Sequence, residues 1–332
     1  MSNQRKCQLV LLASIVLMLV SVMLGICLGS TSLSLASFYK AWASGDTAAS
    51  VYRIVMHIRL PRMLGALLAG SALGVSGAIL QAVLQNPLAS PNIIGVNTGA
   101  GLFVLLCSAL LPGMDALMPF AAFLGALLTA LFIFFLSMAG GVSRISLVLT
   151  GIAMSSILGA GMNCIMILYP DAYIGASTFL VGGLSAVTMS VLKFPAIYIA
   201  VGMVLAMLLR RDLNIVAMGE TSARSLGMNV NMVRFLLVVT AAILAGAAVS
   251  YAGLLGFVGL VVPHCIRFLM GNNNVYLVPA SAFGGAAFVA LCDTLARVVF
   301  APYELPVGIV LSFIGGPFFI YLVLRSRGGR HD

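Results

Sequence analysis

The sequence predicts an all-α polytopic membrane protein. Of its 332 residues 62% are hydrophobic and only 8% are charged, whereas a soluble domain carries about 25% charged residues. The apolar residues fall into blocks separated by polar turns, and several blocks reach the roughly 20 residues that a helix needs to cross a bilayer. These observations predict one transmembrane domain over residues 1–332, embedded in a lipid bilayer.

Ten apolar blocks, taken in order, predict ten transmembrane helices. They span 9–29, 61–84, 95–111, 117–138, 145–168, 194–209, 232–255, 257–270, 277–299 and 306–324. The first block resembles a secretion signal, but its length and the lack of a small-residue cleavage site favour a retained helix. The stretch 235–270 is too long for one span, so Gly253, Gly256 and Gly259 are expected to supply a tight turn.

The basic residues predict the orientation. An even number of spans places both termini on one side, and eleven of the seventeen basic residues then lie on that side. Because basic loops are enriched in the cytoplasm, both termini and the polar segment 210–230 are predicted to be cytoplasmic. The net charge of +9 therefore indicates orientation, and no nucleic-acid partner is expected.

An internal repeat is visible when residues 66–95 are aligned with residues 242–271. Nine of thirty positions match, including Gly70 with Gly246, Gly77 with Gly253, Pro87 with Pro263 and Gly95 with Gly271. The offset of 176 residues spans five predicted helices, an odd number, so the second copy would cross the membrane in the opposite sense. This pattern predicts an inverted five-helix repeat, an architecture common among transporters.

Several kinds of active site are not indicated. The lysines are Lys6, Lys40 and Lys193, and none follows a glycine, so the phosphate-binding loop of an ATPase is not expected. The six scattered cysteines and three separated histidines suggest packing roles, so no metal, cofactor or catalytic residue is expected. The eight acids fall in predicted loops or at helix ends, which argues against the alternative of an ion-coupled secondary transporter.

The polar segment 210–230 contains a small helical motif. Glu220 and Arg224 have the i,i+4 spacing of a helical ion pair, and Ala223 and Gly227 continue the same face with small side chains. Such a face suits docking into a groove of a partner protein. A solvated loop with a local salt bridge explains the spacing equally well.

Three arginines are predicted on the outer side. Arg59 and Arg62 lie near the start of the second predicted helix, where the helix dipole disfavours positive charge, so an acidic partner is expected. Lipid headgroups and a protein satisfy this expectation equally. Arg297 closes the ninth predicted helix and can pair with Asp293 within the chain, although the three arginines together also suit docking to surface carboxylates.

The fifth predicted helix carries polar side chains at Ser155, Ser156 and Asn163. These side chains could line a polar path through the membrane. Ser and Asn are also ordinary contacts between membrane helices, and this second interpretation is favoured.

An ordered set of motifs covers nearly the whole chain. It runs through "RLPR", "NPLASP", "GVNTGA", "LTGIAMSS", "GETSARSLGM", "GFVGLVVPH", "DTLAR", "ELPVGI" and "GGPFF". This set resembles the FecCD family, the permease subunits of ATP-driven importers for ferric siderophores, heme and cobalamin. The resemblance implies ten helices, a second permease subunit that is an identical copy or a paralogue, two ATP-binding cassette subunits and an extracytoplasmic substrate-binding protein. ATP and Mg would be bound by the cassette subunits.

The resemblance also implies roles for individual residues. Segment 210–230 would couple to the ATPase through Gly219, Glu220, Ala223, Arg224, Leu226 and Gly227, and the binding protein would dock on Arg59, Arg62 and Arg297. The cytoplasmic gate would fall at Gly141, Val142 and Ser143. We therefore expect an importer permease without its own ATPase site, in the cytoplasmic membrane of a prokaryote. A ferric siderophore is the expected cargo, with heme and cobalamin as alternatives.

Overall fold

The computed structural model describes residues 3–29, 39–40, 42–45, 47–139 and 144–328, and these residues form helices joined by turns. In chain order the helices are α1 (Asn3–Cys27), α2 (Ser50–Val83), α3 (Val96–Leu110), α4 (Met118–Ala139), α5 (Arg144–Leu168), α6 (Pro170–Val181), α7 (Met189–Ala217), α8 (Glu220–Ser225), α9 (Val230–Ala252), α10 (Val258–Met270), α11 (Asn274–Val298) and α12 (Val307–Gly328). Short 3-10 turns occupy Pro91–Ile94 and Asp115–Leu117.

Each of the ten predicted blocks is helical, but ten crossings are not confirmed. Within the described residues, seven helices are long and apolar enough to cross a membrane, namely α1, α2, α4, α5, α7, α9 and α11. The other three blocks correspond to the shorter apolar helices α3, α10 and α12. The prediction of an all-helical membrane protein is confirmed at this coarser level.

The predicted start of the second helix at residue 61 is wrong, because α2 begins at Ser50. A π-helical stretch, Ile54–Arg59, ends two residues before Pro61. Proline inside an α-helix clashes with the carbonyl four residues earlier, and the wider π-helical turns relieve that clash. The helix therefore continues through Pro61, the residue at which the second predicted block begins.

One further helix is longer than predicted, and one helix was not predicted. The predicted helix 194–209 extends to Met189–Ala217, and Thr188 caps its start by accepting a hydrogen bond from the Val191 backbone N–H. Helix α6 was not predicted, since its sequence mixes small, polar and apolar residues. Pro170 stands in its first turn, where a missing N–H removes no helical hydrogen bond.

The predicted break within 235–270 is confirmed. Gly253 ends α9 with a φ of +71°, and Gly256 lies in the turn before α10. The expectation that Gly259 belongs to this turn is wrong, because Gly259 lies in the first turn of α10. The aligned repeat positions, however, do not share local structure. Gly77 lies inside α2 whereas Gly253 ends α9, and Pro87 lies in a turn whereas Pro263 lies inside α10. The inverted repeat stays a prediction.

Helix α2 lies at the centre of the bundle and packs against α11, α9, α10 and α7. Glycines set its closest approaches: a Cβ at Gly70 would overlap the carbonyl oxygen of Gly285 in α11, and a Cβ at Gly77 would overlap that of Gly259 in α10. Small residues let membrane helices approach until their backbones touch. Ser76 adds a buried hydrogen bond of 2.7 Å from its hydroxyl to the carbonyl of Ala241 in α9.

Helix α5 lies at the periphery of the chain. Only 6% of the residues in its apolar stretch are buried within the chain, against 78% for α2. Its exposed side chains include Leu149, Ile152 and Ile157. Because an apolar helix in a membrane is stable against lipid or another apolar helix, this exposure leaves α5 available to both.

We expect Gly70→Ala to destabilise the bundle, because the added methyl group would displace α11 from α2. Overpacking of this kind costs about 1–3 kcal/mol. Gly159→Ala in α5 is the matched control, since open space surrounds that glycine. Thermal unfolding in detergent, followed by circular dichroism, should show a lower melting temperature for Gly70→Ala alone. Equal melting temperatures for the two variants would contradict the packing described above.

Candidate coupling and docking sites

The polar segment between α7 and α9 contains the short helix α8, held by glycines at both ends. Gly219 precedes α8 with a φ of +108° and Gly227 follows it with a φ of +79°. The N–H of Gly227 donates to the carbonyl of Arg224 at 2.9 Å, and the N–H of Met228 donates to the carbonyl of Ala223 at 3.1 Å. This pair of bonds is a Schellman motif, and it gives the segment a defined shape.

The predicted ion pair within α8 is confirmed and is part of a larger network. Arg224 donates to Oε1 of Glu220 from Nε at 3.1 Å and from a terminal nitrogen at 2.8 Å. Buried Arg234 of α9 approaches Oε2 of the same carboxylate at 3.5 Å. The hydrogen bond from Arg224, together with the charges of both arginines, lowers the pKa of Glu220. Glu220 therefore ties α8 to α9.

The base of the segment is held by amide side chains from other helices. Gln85, after the end of α2, donates from Nε2 to the carbonyl of Val216 at 3.0 Å. Asn214 of α7 donates to Oδ1 of Asn273 at 3.2 Å and accepts from the N–H of Asn274 at 2.8 Å. The end of α7 is thus bonded to the end of α2 and to the start of α11.

The faces of the segment differ in exposure. Ala223 is fully buried, so its small side chain lets α8 lie against the bundle. Leu226, the residue that follows α8, is 64% exposed, and Arg224 is also exposed. A single exposed apolar side chain is ordinary at a protein surface, so contact of Leu226 with a partner stays a prediction.

At the other end of α2, the three predicted docking arginines converge but are not exposed. Arg59, Arg62 and Arg297 are 4%, 5% and 3% exposed, so their side chains are buried against the rest of the described chain. Docking of a binding protein on them stays a prediction. The acidic partner expected for Arg62 belongs to the chain itself. Neither lipid nor a second protein is needed to balance its charge.

Asp293 is the central acid of this arginine cluster. The Nε of Arg62 lies 3.0 Å from both carboxylate oxygens of Asp293, and the Nε of Arg297 lies 3.2 Å from Oδ2. Asp293 is fully buried within α11. Arg62 also pairs with Glu304, which lies in the loop between α11 and α12. The predicted pairing of Arg297 with Asp293 is confirmed.

The end of α1 supplies further acceptors for the arginine cluster. Arg59 donates to the carbonyls of Ile26 at 2.6 Å and Cys27 at 3.0 Å, and Arg297 donates to that of Gly25 at 3.0 Å. The last carbonyls of a helix are unpaired and carry partial negative charge. Three helices therefore meet through buried guanidinium groups.

Comparison with known proteins places this architecture in a family. The model of the FecCD transport family matches residues 17–325. The chain belongs to the FecCD transport family.

Relatives of this FecCD protein have names that mention iron compounds. It is 38% identical to the hemin transport system permease protein HmuU of Yersinia pestis, over 96% of this chain and 97% of that protein. It is 35% identical to the iron(3+)-hydroxamate import system permease protein FhuB of Bacillus subtilis, over 97% and 84%. A solved structure described as an inward-facing metal-chelate type ABC transporter matches with a TM-score of 0.81 and 26% identity, over 96% and 99%.

The predicted gate and path residues of the FecCD chain are only partly described. Gly141, Val142 and Ser143 lie outside the described residues. Ser155 accepts a hydrogen bond of 3.3 Å from the hydroxyl of Thr98 in α3, which is a contact between helices. Ser156 donates to the carbonyl of Ile152 within α5 at 3.0 Å, and Asn163 is exposed on the same helix. Among the described residues, no group of three or more His, Cys, Asp or Glu side chains could hold a metal ion.

Two partners in these networks were missed by the sequence interpretation. Arg234 lies 14 residues after Glu220, and Glu304 lies 242 residues after Arg62. The motif "ELPVGI" contains Glu304 and so indicated that this residue belongs to the ordered motif set. Spacing along the chain, however, does not show which residues of different helices are in contact.

Asp293→Asn should destabilise this protein more than Glu304→Gln. Removal of the fully buried charge leaves Arg62 and Arg297 side by side without their shared acid, and breaking a buried ion pair costs about 3–5 kcal/mol. Glu304 is 34% exposed, so water compensates for part of its loss. Melting temperatures in detergent should fall further for Asp293→Asn. A larger fall for Glu304→Gln would show that Asp293 is not the central acid.

Acid should release Glu220 from its two arginines. Because the pKa of Glu220 is lower in the folded chain, its carboxylate stabilises the fold fully above the unfolded pKa of about 4.3, and this stabilisation is lost as the pH falls through the folded value. The chain has only two glutamates, so ¹³C-labelled glutamate lets the carboxyl signal of Glu220 be followed with little overlap. Arg224→Gln should raise the Glu220 midpoint.

Arg211→Gln is the control for this titration, since it removes the same charge from an exposed position on α7. It should shift the Glu220 midpoint much less. Equal shifts in the two variants would mean that general charge, and not the hydrogen bond from Arg224, lowers the pKa.

Proposed function

We propose that this FecCD protein is the permease subunit of an ATP-driven importer that carries an iron complex across the cytoplasmic membrane of a prokaryote. The family match over residues 17–325 carries this assignment. The geometry agrees with it, because a short anchored helix presents an exposed leucine between two apolar helices. The chain itself would hold no ATPase site; two cassette subunits would bind ATP and Mg.

The cargo we propose is a ferric siderophore, with heme and cobalamin as alternatives. One relative is named for iron(3+)-hydroxamate import, and hydroxamates are a chemical class of iron chelator. Another is named for hemin transport, so the names favour an iron complex without selecting one. The complex would be recognised as a whole chelate, chiefly by the extracytoplasmic binding protein.

The topology we propose has ten crossings, with both termini and α8 in the cytoplasm. The three shorter apolar helices support it, because they occupy the three predicted blocks that the seven longer helices leave. The excess of basic residues at the cytoplasmic ends supports the orientation. An inverted repeat of five helices would accompany this topology.

For coupling, α8 and its flanks would bind one cassette subunit. Gly219 and Gly227 would hold the shape of the segment, Glu220 and Arg224 would border the contact, and Ala223 would keep α8 against the bundle. Leu226 would enter the partner. Motion of the cassette subunits on ATP binding would then reach α7 and α9 directly. It would reach α2 and α11 through the side-chain hydrogen bonds of Gln85 and Asn214.

A second permease subunit, identical or paralogous, would complete the path. Helix α5 supports this proposal because little of its apolar surface is buried. Ser155, Ser156 and Asn163 lie on this helix, and the gate proposed at Gly141, Val142 and Ser143 directly precedes it. The binding protein would dock from outside on the surface above Arg59, Arg62 and Arg297.

Leu226→Asp should abolish uptake of the iron complex and separate the permease from its cassette subunit. The substitution adds a desolvated charge at the contact but leaves the fold intact, because Leu226 is exposed. We would tag the chain, purify it gently from its native membrane, identify its partners by mass spectrometry, and measure uptake of ⁵⁵Fe supplied as hydroxamate, citrate or hemin complexes.

Leu111→Asp is the matched control, since Leu111 is an exposed leucine in the turn between α3 and α4. It should preserve both the partner and the uptake. Recovery of no nucleotide-binding partner with the wild-type chain, together with uptake that a protonophore stops and ATP depletion does not, would replace this proposal with ion-coupled transport.

A further inference from the structure

The arginine cluster is already neutralised to a large extent by the chain itself. Arg62 and Arg297 share Asp293, Arg62 also pairs with Glu304, and Arg59 is bonded to carbonyls at the end of α1. A carboxylate from a docking protein therefore approaches guanidinium groups that already have partners. Docking of a carboxylate at this cluster therefore requires that one of the acceptors within the chain release its arginine.

The two acids of the arginine cluster differ in how firmly they are held. Asp293 has a fully buried side chain, lies inside α11 and contacts two arginines. The Glu304 side chain is 34% exposed, lies on a loop and pairs with the buried Arg62. A buried carboxylate between two cations is costly to remove, whereas a partly exposed one regains water. Glu304 is thus the acid that can leave.

A cavity beside Glu304 offers the route for an incoming group. It has a volume of about 280 Å³ and is lined by the three arginines together with Glu304, Gly29, Ile54 and Ile58. One water takes about 30 Å³ of liquid volume, so the cavity has room for an acidic side chain with water around it. A carboxylate that enters this cavity therefore reaches Arg62 next to Glu304.

The charges favour exchange over simple addition. Three arginines and two acids give the cluster a net charge of +1, which attracts an anion. Arg62 already contacts two carboxylates, those of Asp293 and Glu304. An incoming carboxylate added to them would place three like charges on one guanidinium group, and like charges at close range repel strongly. If Glu304 turns into water as the new carboxylate arrives, the charge balance around Arg62 is preserved.

We propose that a side-chain carboxylate of the extracytoplasmic binding protein replaces Glu304 on Arg62, while Asp293 stays paired with Arg62 and Arg297. This inference rests on the docking role given to the cluster under the proposed function. Glu304 is an internal competitor for the docking site: it satisfies Arg62 when no binding protein is present and weakens docking by the free energy of its own pair.

Glu304→Gln should therefore strengthen docking. Glutamine keeps a hydrogen-bond acceptor for Arg62 but removes the competing charge, so we expect about three- to tenfold tighter binding, carried largely by faster association at low salt. The probe is the binding protein recovered with the wild-type complex in the purification above, fluorescently labelled. Its binding to the complete complex in nanodiscs would be measured by interferometry at low and high NaCl concentration.

Asp115→Asn is the matched control, because it removes one exposed acid in the turn between α3 and α4, predicted on the same side of the membrane, without touching the arginine cluster. It should change binding less than twofold. Weaker or unchanged binding by Glu304→Gln, or an equal gain in both variants, would overturn the exchange. Absence of binding to the wild-type complex would instead overturn the docking role itself.

A second measurement needs no variant. This chain alone is labelled with ¹³C-glutamate and assembled with unlabelled partner subunits. The carboxyl signal of Glu304 should then move towards the value of a solvated glutamate when unlabelled binding protein is added to saturation. If the signal keeps its starting position at saturation, Glu304 stays on Arg62 and the proposal is wrong.

Discussion

The architecture depends on how closely α2 can approach its neighbours. In a bilayer no hydrophobic force drives helices together, so their association rests on van der Waals contact and hydrogen bonds between helices. Gly70 and Gly77 let the backbone of α2 touch those of α11 and α10, where any larger side chain would overlap a carbonyl oxygen. This contact sets the positions of both candidate sites, because Arg62 lies near the start of the α-helical part of α2, Leu60–Val83, and Gln85 follows its end.

The two sites are held by different kinds of interaction. At the arginine cluster, the pairing of Arg62 with buried Asp293 fixes orientation, since a charge buried without its partner is strongly unfavourable. At α8, the pair between Glu220 and Arg224 is exposed, and exposed pairs contribute little to stability. The shape of that segment rests mainly on turns that require glycine and on hydrogen bonds from Gln and Asn side chains. The arginine cluster is therefore fixed by charge, and the segment around α8 by backbone geometry.

Much of this organisation could be predicted from the sequence, because apolar blocks and local spacings are visible there. The helical blocks, the break at Gly253 and the pair between Glu220 and Arg224 all depend on residues that are near one another in the chain. The pairing of Arg62 with Glu304 depends on packing between distant helices, so spacing could not reveal it. Pro61 misled the prediction because a proline is equally compatible with a helix start and with a π-helical interruption.

The glycine contacts of α2 have a mechanical consequence. Backbones that interlock without intervening side chains allow almost no sliding, so we expect α2, α10 and α11 to move as one rigid body. The α-helical part of α2, Leu60–Val83, has 24 residues and a length of about 36 Å. A small tilt of such a body about its middle displaces its two ends in opposite directions. The arginine cluster and the base of α8 would then move together, one inward as the other moves outward, with no rearrangement of the contacts between the three helices.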